Sequence, residues 1–428
     1  MSQFVVIDAE MLAAVAAADG EFRLASKSWT GGVRFIGETF ELGLTIANGV
    51  PLAANPGDGP EVISITGTDK LWSTLLAPIA PRLENDLWPL IAREQLALKA
   101  DFVMYGQYFA ALARLVELIR PESPKPQVPE VSRHGQIDTP IGRYIHLDLN
   151  GHDHRVYFEE AGSGIPLIVQ HTAGCHGSQW RHLFESKAVT DHFRVIAYDL
   201  PFHGKSLPPE GARWWTDQYK LQGGFFQSVP VSLARALGLE RPVFMGVSVG
   251  GSLALELARY YPEEFRAVIS VEGSLKTYMP IDHPTVSTMW DPRVSSDYKA
   301  RMMDGLMSPT SPEAYRKEVS YMYSGGYPQT FIGDLNYYCE DYDMREEARN
   351  IDTSKCAVHI MNGEYDYFGT LEAGQQAHAE IAGSTWVGMD GIGHFPMSEN
   401  PEKFLKYVLP ILQSVRDASV APRVMVAA

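Results

Sequence analysis

The stretch that decides the fold of this chain is Val243-Phe244-Met245-Gly246-Val247-Ser248-Val249-Gly250-Gly251. Before Gly246 it is a short apolar run typical of a buried strand, and after Ser248 apolar residues return at helical spacing. Gly-x-Ser-x-Gly at a strand-to-helix turn forces the central residue into a strained backbone, and the flanking glycines keep neighbouring chain segments from colliding. The pattern therefore predicts that Ser248 is a nucleophile, raised above a sheet edge at a helix N-terminus that favours developing negative charge.

A base for this hydroxyl is expected after the last strand of the sheet. The sequence Gly391-Ile392-Gly393-His394-Phe395-Pro396 follows a predicted strand over Thr385–Met389. A histidine in a glycine-rich loop can reach over a nucleophile on a nearby strand, and an ordinary imidazole takes and returns a proton near neutral pH. The sequence therefore predicts His394 as the general base.

Strand-like runs alternate with helical stretches through the second part of the chain. The predicted strands are Leu167–His171, Arg194–Asp199, Val243–Gly246, Ala267–Val271, Val358–Met361 and Thr385–Met389. The predicted helices include Trp180–Thr190, Gln218–Leu237, Ser248–Tyr260, Leu371–Ile381 and Pro401–Val415. This alternation predicts the α/β class, with a mostly parallel sheet flanked by helices. The long stretch from Gly273 to Asn350 delays the next strand and is rich in Tyr, Met and Trp, so a helical lid is predicted over residues 273–350.

These motifs together resemble the α/β-hydrolase family, in particular its lidded esterases, C–C hydrolases and dehalogenases. The resemblance covers Gly142 to Val415 and includes Asp199-Leu200-Pro201-Phe202-His203-Gly204-Lys205-Ser206, which is similar to the D-x-x-G-x-G-x-S loop of the family. Phe202 stands where the first glycine of that loop is expected. His203 is interpreted as a loop residue rather than as a second base. The family resemblance implies the α/β-hydrolase fold.

The acid that orients the base is predicted to be Asp366, with two alternatives left open. Asp366 lies just past the penultimate strand, and the order Ser…Asp…His is that of α/β-hydrolases. Glu272 ends the strand Ala267–Val271, where some members of the family carry their acid, and it could instead face the substrate. Glu364, two residues before Asp366, is interpreted as a surface or supporting carboxylate.

An oxyanion hole needs two backbone N–H donors. Val249, directly after the nucleophile, is predicted to supply one of them. The resemblance places the second in His171-Thr172-Ala173-Gly174, where Ala173 takes the position of the donor. Most relatives read His-Gly-x-Gly in this loop, so Thr172 replaces a glycine and can change the conformation of the loop.

A separate domain is predicted before the hydrolase-like part. Five prolines between Arg120 and Pro140 indicate an extended linker over 121–140, which separates a smaller α+β domain (1–120) from the catalytic domain (141–428). The smaller domain resembles the sterol-carrier-protein-2-like fold, a curved antiparallel sheet packed against helices. The resemblance is carried by FRLASKSW from Phe22, by Ala47-Asn48-Gly49-Val50, and by Ile65-Thr66-Gly67 with Trp72. Substrate presentation, formation of a homodimer and capping of the lid are all open roles for it.

Composition limits the partners of the protein. The net charge of −16 argues against binding to nucleic acid or to an anionic membrane surface. The acidic N-terminus lacks the basic region of a signal peptide and is interpreted as a short amphipathic helix. No apolar run is expected to reach the length of about 18 residues that a membrane span needs. Three scattered cysteines indicate neither a disulfide framework nor a zinc site, so a cytoplasmic location without metal or cofactor is expected.

The predicted chemistry is hydrolysis of a carboxylic ester of moderate size and hydrophobic or aromatic character, by a Ser-His-Asp triad through an acyl-enzyme. Cleavage of a C–C bond in a vinylogous diketone and hydrolysis of a lactone use the same triad and remain alternatives. A lipid-binding protein with an inactive triad is the alternative without catalysis.

Overall fold

The computed structural model describes residues 8–121, 126–278, 281 and 283–420. The chain divides into two compact units, of which the first combines Met1–Gln127 with Pro280–Pro328. The second combines Val128–Met279 with Gln329–Ala428. Residues 280–328 therefore pack with the N-terminal residues, although the sequence analysis assigned them to the catalytic domain as part of the lid. Parts of the predicted N-terminal helix (1–7) and of the predicted linker (122–125) lie outside the described residues.

The N-terminal residues form a five-stranded sheet with strand order β3-β2-β1-β4-β5. The sheet is mixed rather than antiparallel throughout, because β4 pairs with β1 in parallel, with Gly32 opposite Val62. The chain reaches β4 by crossing from the β3 edge to the other side of β1, and such a crossover gives parallel strands. The resemblance to sterol-carrier proteins stays a prediction. The elements are α1 (Ala9–Ala18), α2 (Gly20–Ala25), β1 (Gly31–Ile36), β2 (Glu41–Ala47), β3 (Val50–Leu52), β4 (Val62–Thr66), α3 (Asp69–Leu75), α4 (Leu87–Ala92), β5 (Ala97–Lys99) and α5 (Phe102–Ile119).

Buried aromatic rings and buried charges hold residues 280–328 within this first unit. The ring of Tyr298 lies edge-on to Phe109, with 5.3 Å between ring centroids. Arg301 forms ion pairs with Asp86 at 3.1 Å and with Glu117 at 2.8 Å, and its side chain is 7% exposed. A buried charge is costly unless it is paired, so this segment needs the carboxylates of the N-terminal residues.

Helix α5 is the one helix among the described residues that is long and apolar enough to cross a membrane, by length and composition only. This differs from the expectation that no apolar run reaches that length. Half of the helix is buried inside the structure, including Tyr105, Phe109 and Leu112. The core helix of a globular unit has this same pattern.

The second unit is built on an eight-stranded sheet with strand order β13-β12-β11-β10-β8-β9-β7-β6. The pairs from β13 to β9 are parallel, and β7 and β6 extend the sheet as an antiparallel hairpin. The strands are β6 (Ile141–Leu149), β7 (His152–Ala161), β8 (Ile165–Gln170), β9 (Phe193–Tyr198), β10 (Val243–Val247), β11 (Ala267–Val271), β12 (Ala357–Gly363) and β13 (Thr385–Met389). The six predicted strands all lie within two residues of these bounds.

Helices cover both faces of this sheet, as the alternation predicted. The helices of the second unit are α6 (Arg181–Glu185), α7 (Lys187–Thr190), α8 (Gly223–Ala236), α9 (Val249–Tyr260), α13 (Pro328–Asn336), α14 (Leu371–Glu380), α15 (Pro396–Glu399) and α16 (Pro401–Val420). The helices α10 (Pro284–Ser287), α11 (Ser296–Gly305) and α12 (Glu313–Ser324) belong to the first unit. The segment 273–350 is thus largely helical, while its role as a lid stays a prediction.

One helix begins later than its pattern predicted. Helix α8 starts at Gly223, not at Gln218, because the chain before it bonds to a different segment. The N–H of Leu221 donates to the carbonyl of Gly333 at 3.0 Å, and the N–H of Gly223 donates to Asp341 Oδ2 at 2.6 Å. These long-range bonds replace the hydrogen bonds of a first helical turn.

Candidate active site

Ser248 stands between β10 and α9, at the carboxyl edge of the sheet. Its backbone has φ 59° and ψ −115°, a conformation that non-glycine residues adopt only when the surrounding structure imposes it. Gly246 and Gly250 must lack a side chain because neighbouring atoms lie too close to their backbone. A Cβ on Gly246 would lie 2.2 Å from the carbonyl oxygen of Gly250, and a Cβ on Gly250 would lie 2.7 Å from Cγ of Gln170. The predicted strand, strained turn and helix are therefore all present.

His394 and Asp366 complete a hydrogen-bonded chain with Ser248. His394 Nε2 lies 2.9 Å from Ser248 Oγ, and His394 Nδ1 lies 2.8 Å from Asp366 Oδ1. Asp366 also accepts hydrogen bonds from the N–H groups of Phe368, at 2.8 Å, and Gly369, at 3.1 Å. Burial opposes the charge of Asp366, but His394 and these donors hold its pKa below the ordinary value. An ionised Asp366 makes Nδ1 of His394 the donor, which leaves Nε2 free to accept the proton of Ser248.

The family model described as "Alpha/beta hydrolase family" matches residues 167–406, which is more than half of the chain. The chain belongs to the alpha/beta hydrolase family. The match runs from β8 to the first turn of α16, so it contains Ser248, Asp366 and His394. It confirms the fold predicted for the second part of the chain.

Individual relatives of this α/β hydrolase are distant. It is 34% identical to the bifunctional epoxide hydrolase 2 of Sus scrofa over 141 residues, which are 32% of this chain and only 22% of that protein. It is 26% identical to the pimeloyl-[acyl-carrier protein] methyl ester esterase of Vibrio cholerae over 213 residues, 46% of this chain and 75% of that protein. A solved esterase from Thermogutta terrifontis shares the fold with a TM-score of 0.56 and 19% identity, over 64% of this chain and 99% of that one.

Glu272, the alternative acid, lies beside Asp366 and has a different hydrogen-bonding role. Its side chain is fully buried, and Oε2 accepts a hydrogen bond from the N–H of Gly363 at 2.8 Å. Oε1 has no hydrogen-bond partner of ordinary geometry among the described residues. Burial, together with the charge and proximity of Asp366, raises the pKa of Glu272 well above its ordinary value. A protonated Glu272 is therefore the expected form at neutral pH, beside an ionised Asp366.

Glu364, the other carboxylate considered, supports the loop that carries the histidine. Its Oε2 accepts a hydrogen bond from the N–H of Gly391 at 2.7 Å. Gly391 lies three residues before His394. The interpretation of Glu364 as a surface or supporting carboxylate stays a prediction.

The loop after β8 contains Ala173, the predicted second oxyanion donor. The preceding Thr172, which replaces a glycine of the family pattern, is held by Gln179, whose Oε1 accepts from the Thr172 N–H at 3.0 Å and from its hydroxyl at 3.1 Å. Val249 directly follows Ser248 and is the first residue of α9, so its N–H has no acceptor within the helix. The two predicted donors thus follow the carboxyl ends of two neighbouring strands, β8 and β10.

Phe202, which stands where the family pattern has a glycine, adopts a backbone conformation typical of glycine. Phe202 has φ 74°, in the left-handed region that favours glycine. Its ring packs against Tyr219, with 4.7 Å between centroids. This packing offsets a backbone strain on the order of 1–2 kcal/mol.

His203 and Asp334 form a buried ion pair that contacts the loop His171–Gly174, the predicted oxyanion loop. His203 Nε2 lies 2.7 Å from Asp334 Oδ2, and His203 Nδ1 lies 3.0 Å from the carbonyl of Pro201. Both partners accept, so the imidazole carries both protons. Burial opposes this charge, but Asp334 outweighs it and raises the pKa of His203. Asp334 Oδ2 also accepts the N–H of Gly174 at 2.7 Å, which links the loop to helix α13.

Replacing Asp334 by alanine is expected to destabilise the protein by about 3–5 kcal/mol, because it leaves His203 buried without its counter-ion. It also releases the N–H of Gly174, so kcat/KM should fall about 10-fold as the oxyanion loop loosens. Asp334→Asn should cost far less, since an amide oxygen in the place of Oδ2 can still accept from the N–H of Gly174 and from the Nε2–H of a neutral His203. Thermal melts and kcat/KM of the two variants test this.

The pH dependence gives a further check on the pair. The pKa of His203 is raised in the folded protein. The ion pair therefore contributes fully to the free energy of unfolding below the ordinary imidazole pKa of about 6.5, and this contribution is lost as pH rises through the raised pKa. The stability gap between wild type and Asp334→Asn should therefore shrink from pH 6 to pH 9. Asp341→Ala is a matched control, because Asp341 also accepts one backbone N–H, that of Gly223. A gap independent of pH would contradict the ion pair.

Sequence patterns did not predict Asp334 or Gln179, nor Tyr338, which is buried near Ser248. The signal for Asp334 was the one charged side chain of the stretch Pro328–Asn336, where a buried charge needs a partner. No sequence pattern indicates Gln179, because a glutamine that follows a loop has no typical partner and its contact with Thr172 is seen only in the structure. Tyr338 was one of many aromatic residues in the predicted lid.

Proposed function

We propose that this α/β hydrolase cleaves a carboxylic ester of a moderately hydrophobic small molecule, through an acyl-enzyme on Ser248. The observation that carries the proposal is the hydrogen-bonded chain from Ser248 Oγ through His394 to Asp366. All three side chains are at most 4% exposed, so water competes little for these bonds. In this row of hydrogen bonds, Asp366 accepts from His394 Nδ1, and His394 Nε2 accepts from the Ser248 hydroxyl, which is the arrangement that general-base catalysis requires.

In the proposed reaction, Ser248 Oγ attacks the carbonyl carbon while its proton moves to His394 Nε2. The carbonyl oxygen becomes an oxyanion, which the N–H of Val249 and the proposed donor Ala173 stabilise. His394 then gives the proton to the departing alcohol as the carbon–oxygen bond breaks. A water molecule then attacks the acyl carbon while its proton moves to His394 Nε2. The bond between the acyl carbon and Ser248 Oγ breaks, His394 returns the proton to Ser248, and the carboxylic acid leaves. Asp366 keeps Nδ1 of His394 protonated throughout and stabilises the imidazolium.

The hydroxyl nucleophile favours acyl substrates over alkyl electrophiles such as epoxides. Attack of Ser248 on an epoxide carbon would form an ether, which water under base catalysis does not cleave. Attack on an acyl carbon forms an ester, which the same His394 can hydrolyse in a second step. The similarity to an epoxide hydrolase thus extends to the fold and not to the proposed chemistry.

A screen of purified protein against esters, lactones and ring-cleavage diketones, read by mass spectrometry, tests the proposal. We expect the highest kcat/KM for esters of medium-length or aromatic acids. Preferred turnover of a vinylogous diketone or of a lactone would replace ester hydrolysis by one of the two alternatives that use the same triad. Absence of turnover and of labelling of Ser248 by a fluorophosphonate would contradict all three.

A further inference from the structure

Tyr338 is a buried phenol beside the nucleophile, and its hydroxyl makes no hydrogen bond of ordinary geometry to the residues that the structure describes. The side chain is 2% exposed, and among the described residues no acceptor or donor lies in ordinary hydrogen-bond geometry to its oxygen. The hydroxyls of Thr277 and Ser248 are nonetheless close enough to affect its titration. A buried hydroxyl without a partner is costly, and native proteins seldom leave one without a reason.

The segment around Tyr338 is held rigidly. Tyr338 lies in a π-helical turn, Tyr337–Asp341, that continues helix α13, and such turns occur frequently at functional sites. The neighbouring phenols are both bonded: Tyr337 donates to Glu256 Oε2 at 2.9 Å, and Tyr342 donates to the carbonyl of Ser274 at 2.7 Å. The segment is therefore anchored through Tyr337 and Tyr342, and the Tyr338 hydroxyl alone is left available.

The strand order and two ring contacts indicate on which side of Ser248 the Tyr338 side chain lies. The oxyanion loop follows β8, on one side of β10, whereas Thr277 follows β11 on the other side. The Tyr338 ring packs edge-on against Phe368, with 6.4 Å between centroids, and Phe368 packs against His394 at 5.4 Å. Tyr338 therefore lies on the side of His394, where the leaving group departs, and not on the side of the oxyanion loop.

We propose that the Tyr338 hydroxyl donates a hydrogen bond to the leaving-group oxygen of the ester, beside His394. This inference rests on the proposed function. When the tetrahedral intermediate collapses, the carbon–oxygen bond breaks and His394 delivers its proton to one lone pair of that oxygen. Tyr338 donates to the other lone pair and keeps its own proton. Burial, with the charge of Asp366 adding to it, raises the pKa of Tyr338, so the phenol stays protonated as a donor requires.

The proposal names a substrate class, esters of aliphatic alcohols. An alkoxide is a poor leaving group and gains most from a second donor, whereas p-nitrophenolate is a stable anion that departs without one. For an alkyl ester and a p-nitrophenyl ester of the same acid, kcat/KM reports formation of the same acyl-enzyme. A comparison of the two esters thus isolates the leaving-group oxygen.

The test compares Tyr338→Phe with wild type on both esters. We expect kcat/KM for the alkyl ester to fall about 10- to 100-fold, and that for the aryl ester to change by less than about 3-fold. Equal losses for both esters would overturn the proposal, since they indicate a role at the oxyanion or in structure. No loss on either ester would also overturn it. If wild type cleaves neither ester, the proposed function fails, and this inference fails with it.

Thermal melting separates a structural role from the proposed one. Tyr338→Phe removes a hydroxyl that makes no hydrogen bond of ordinary geometry to the described residues, so its Tm should equal or exceed that of wild type. Tyr342→Phe is the matched control, because it removes a phenol from the same segment together with its bond to Ser274, and its Tm should fall. A drop in Tm for Tyr338→Phe as large as that for Tyr342→Phe would overturn the proposal.

Discussion

Replacing Ser248 by alanine is expected to lower kcat/KM for short aryl esters by about 10,000-fold or more, with the fold intact. The substitution removes the attacking oxygen and leaves His394 without a proton to take. Alanine has a Cβ like serine, so the strained turn at φ 59° gains no new clash. Hydrolysis assays, with thermal melting as the check on folding, measure both consequences.

Ser252→Ala is the matched control for this experiment. Ser252 lies on the same helix, one turn after Ser248, and is also fully buried. It should retain nearly all activity, because its hydroxyl is not part of the chain through His394 and Asp366. A fluorophosphonate should label wild type and Ser252→Ala but not Ser248→Ala. Normal turnover by Ser248→Ala would refute the assignment of the nucleophile.

The second unit could be predicted from sequence because its signals are local. Gly246 and Gly250 mark the turn at Ser248 by their lack of a side chain, and β-branched runs mark the strands to within two residues. His394 and Asp366 each follow a strand in a short loop. Once the strands are parallel and adjacent, their carboxyl ends meet, so the three residues must lie near one another.

The remaining features depend on contacts between distant segments and leave little local trace. Asp334 and Tyr338 lie near residues more than 60 positions away in sequence, such as Gly174 and Thr277. The assignment of residues 280–328 to the first unit follows from Arg301, whose partners Asp86 and Glu117 precede it by about 200 residues. Hydrophobic periodicity predicts that a helix forms but not which carboxylate its arginine will meet.

Substitution of the carboxylate that orients His394 is expected to have the second large effect on activity. Asp366→Asn is expected to lower kcat at neutral pH by about 1,000- to 10,000-fold, because an amide in this place favours the wrong tautomer of His394. Glu272→Gln should retain kcat within about 3-fold, since a protonated carboxyl and an amide have similar shape and neither carries charge. Steady-state assays of the two variants, at equal folded fraction, make the comparison.

The stability of Glu272→Gln provides an independent measure of the same assignment. The pKa of Glu272 is raised in the folded protein, so the side chain stabilises folding fully only below its ordinary pKa of about 4.3 and loses this contribution as pH rises. Glutamine does not titrate, and the Tm of Glu272→Gln should therefore improve relative to wild type between pH 5 and pH 8. If Glu272→Gln instead lost kcat as severely as Asp366→Asn, with no such trend in Tm, an ionised Glu272 would be the partner of His394. The hydrogen bond from His394 Nδ1 to Asp366, at 2.8 Å, argues for the first outcome.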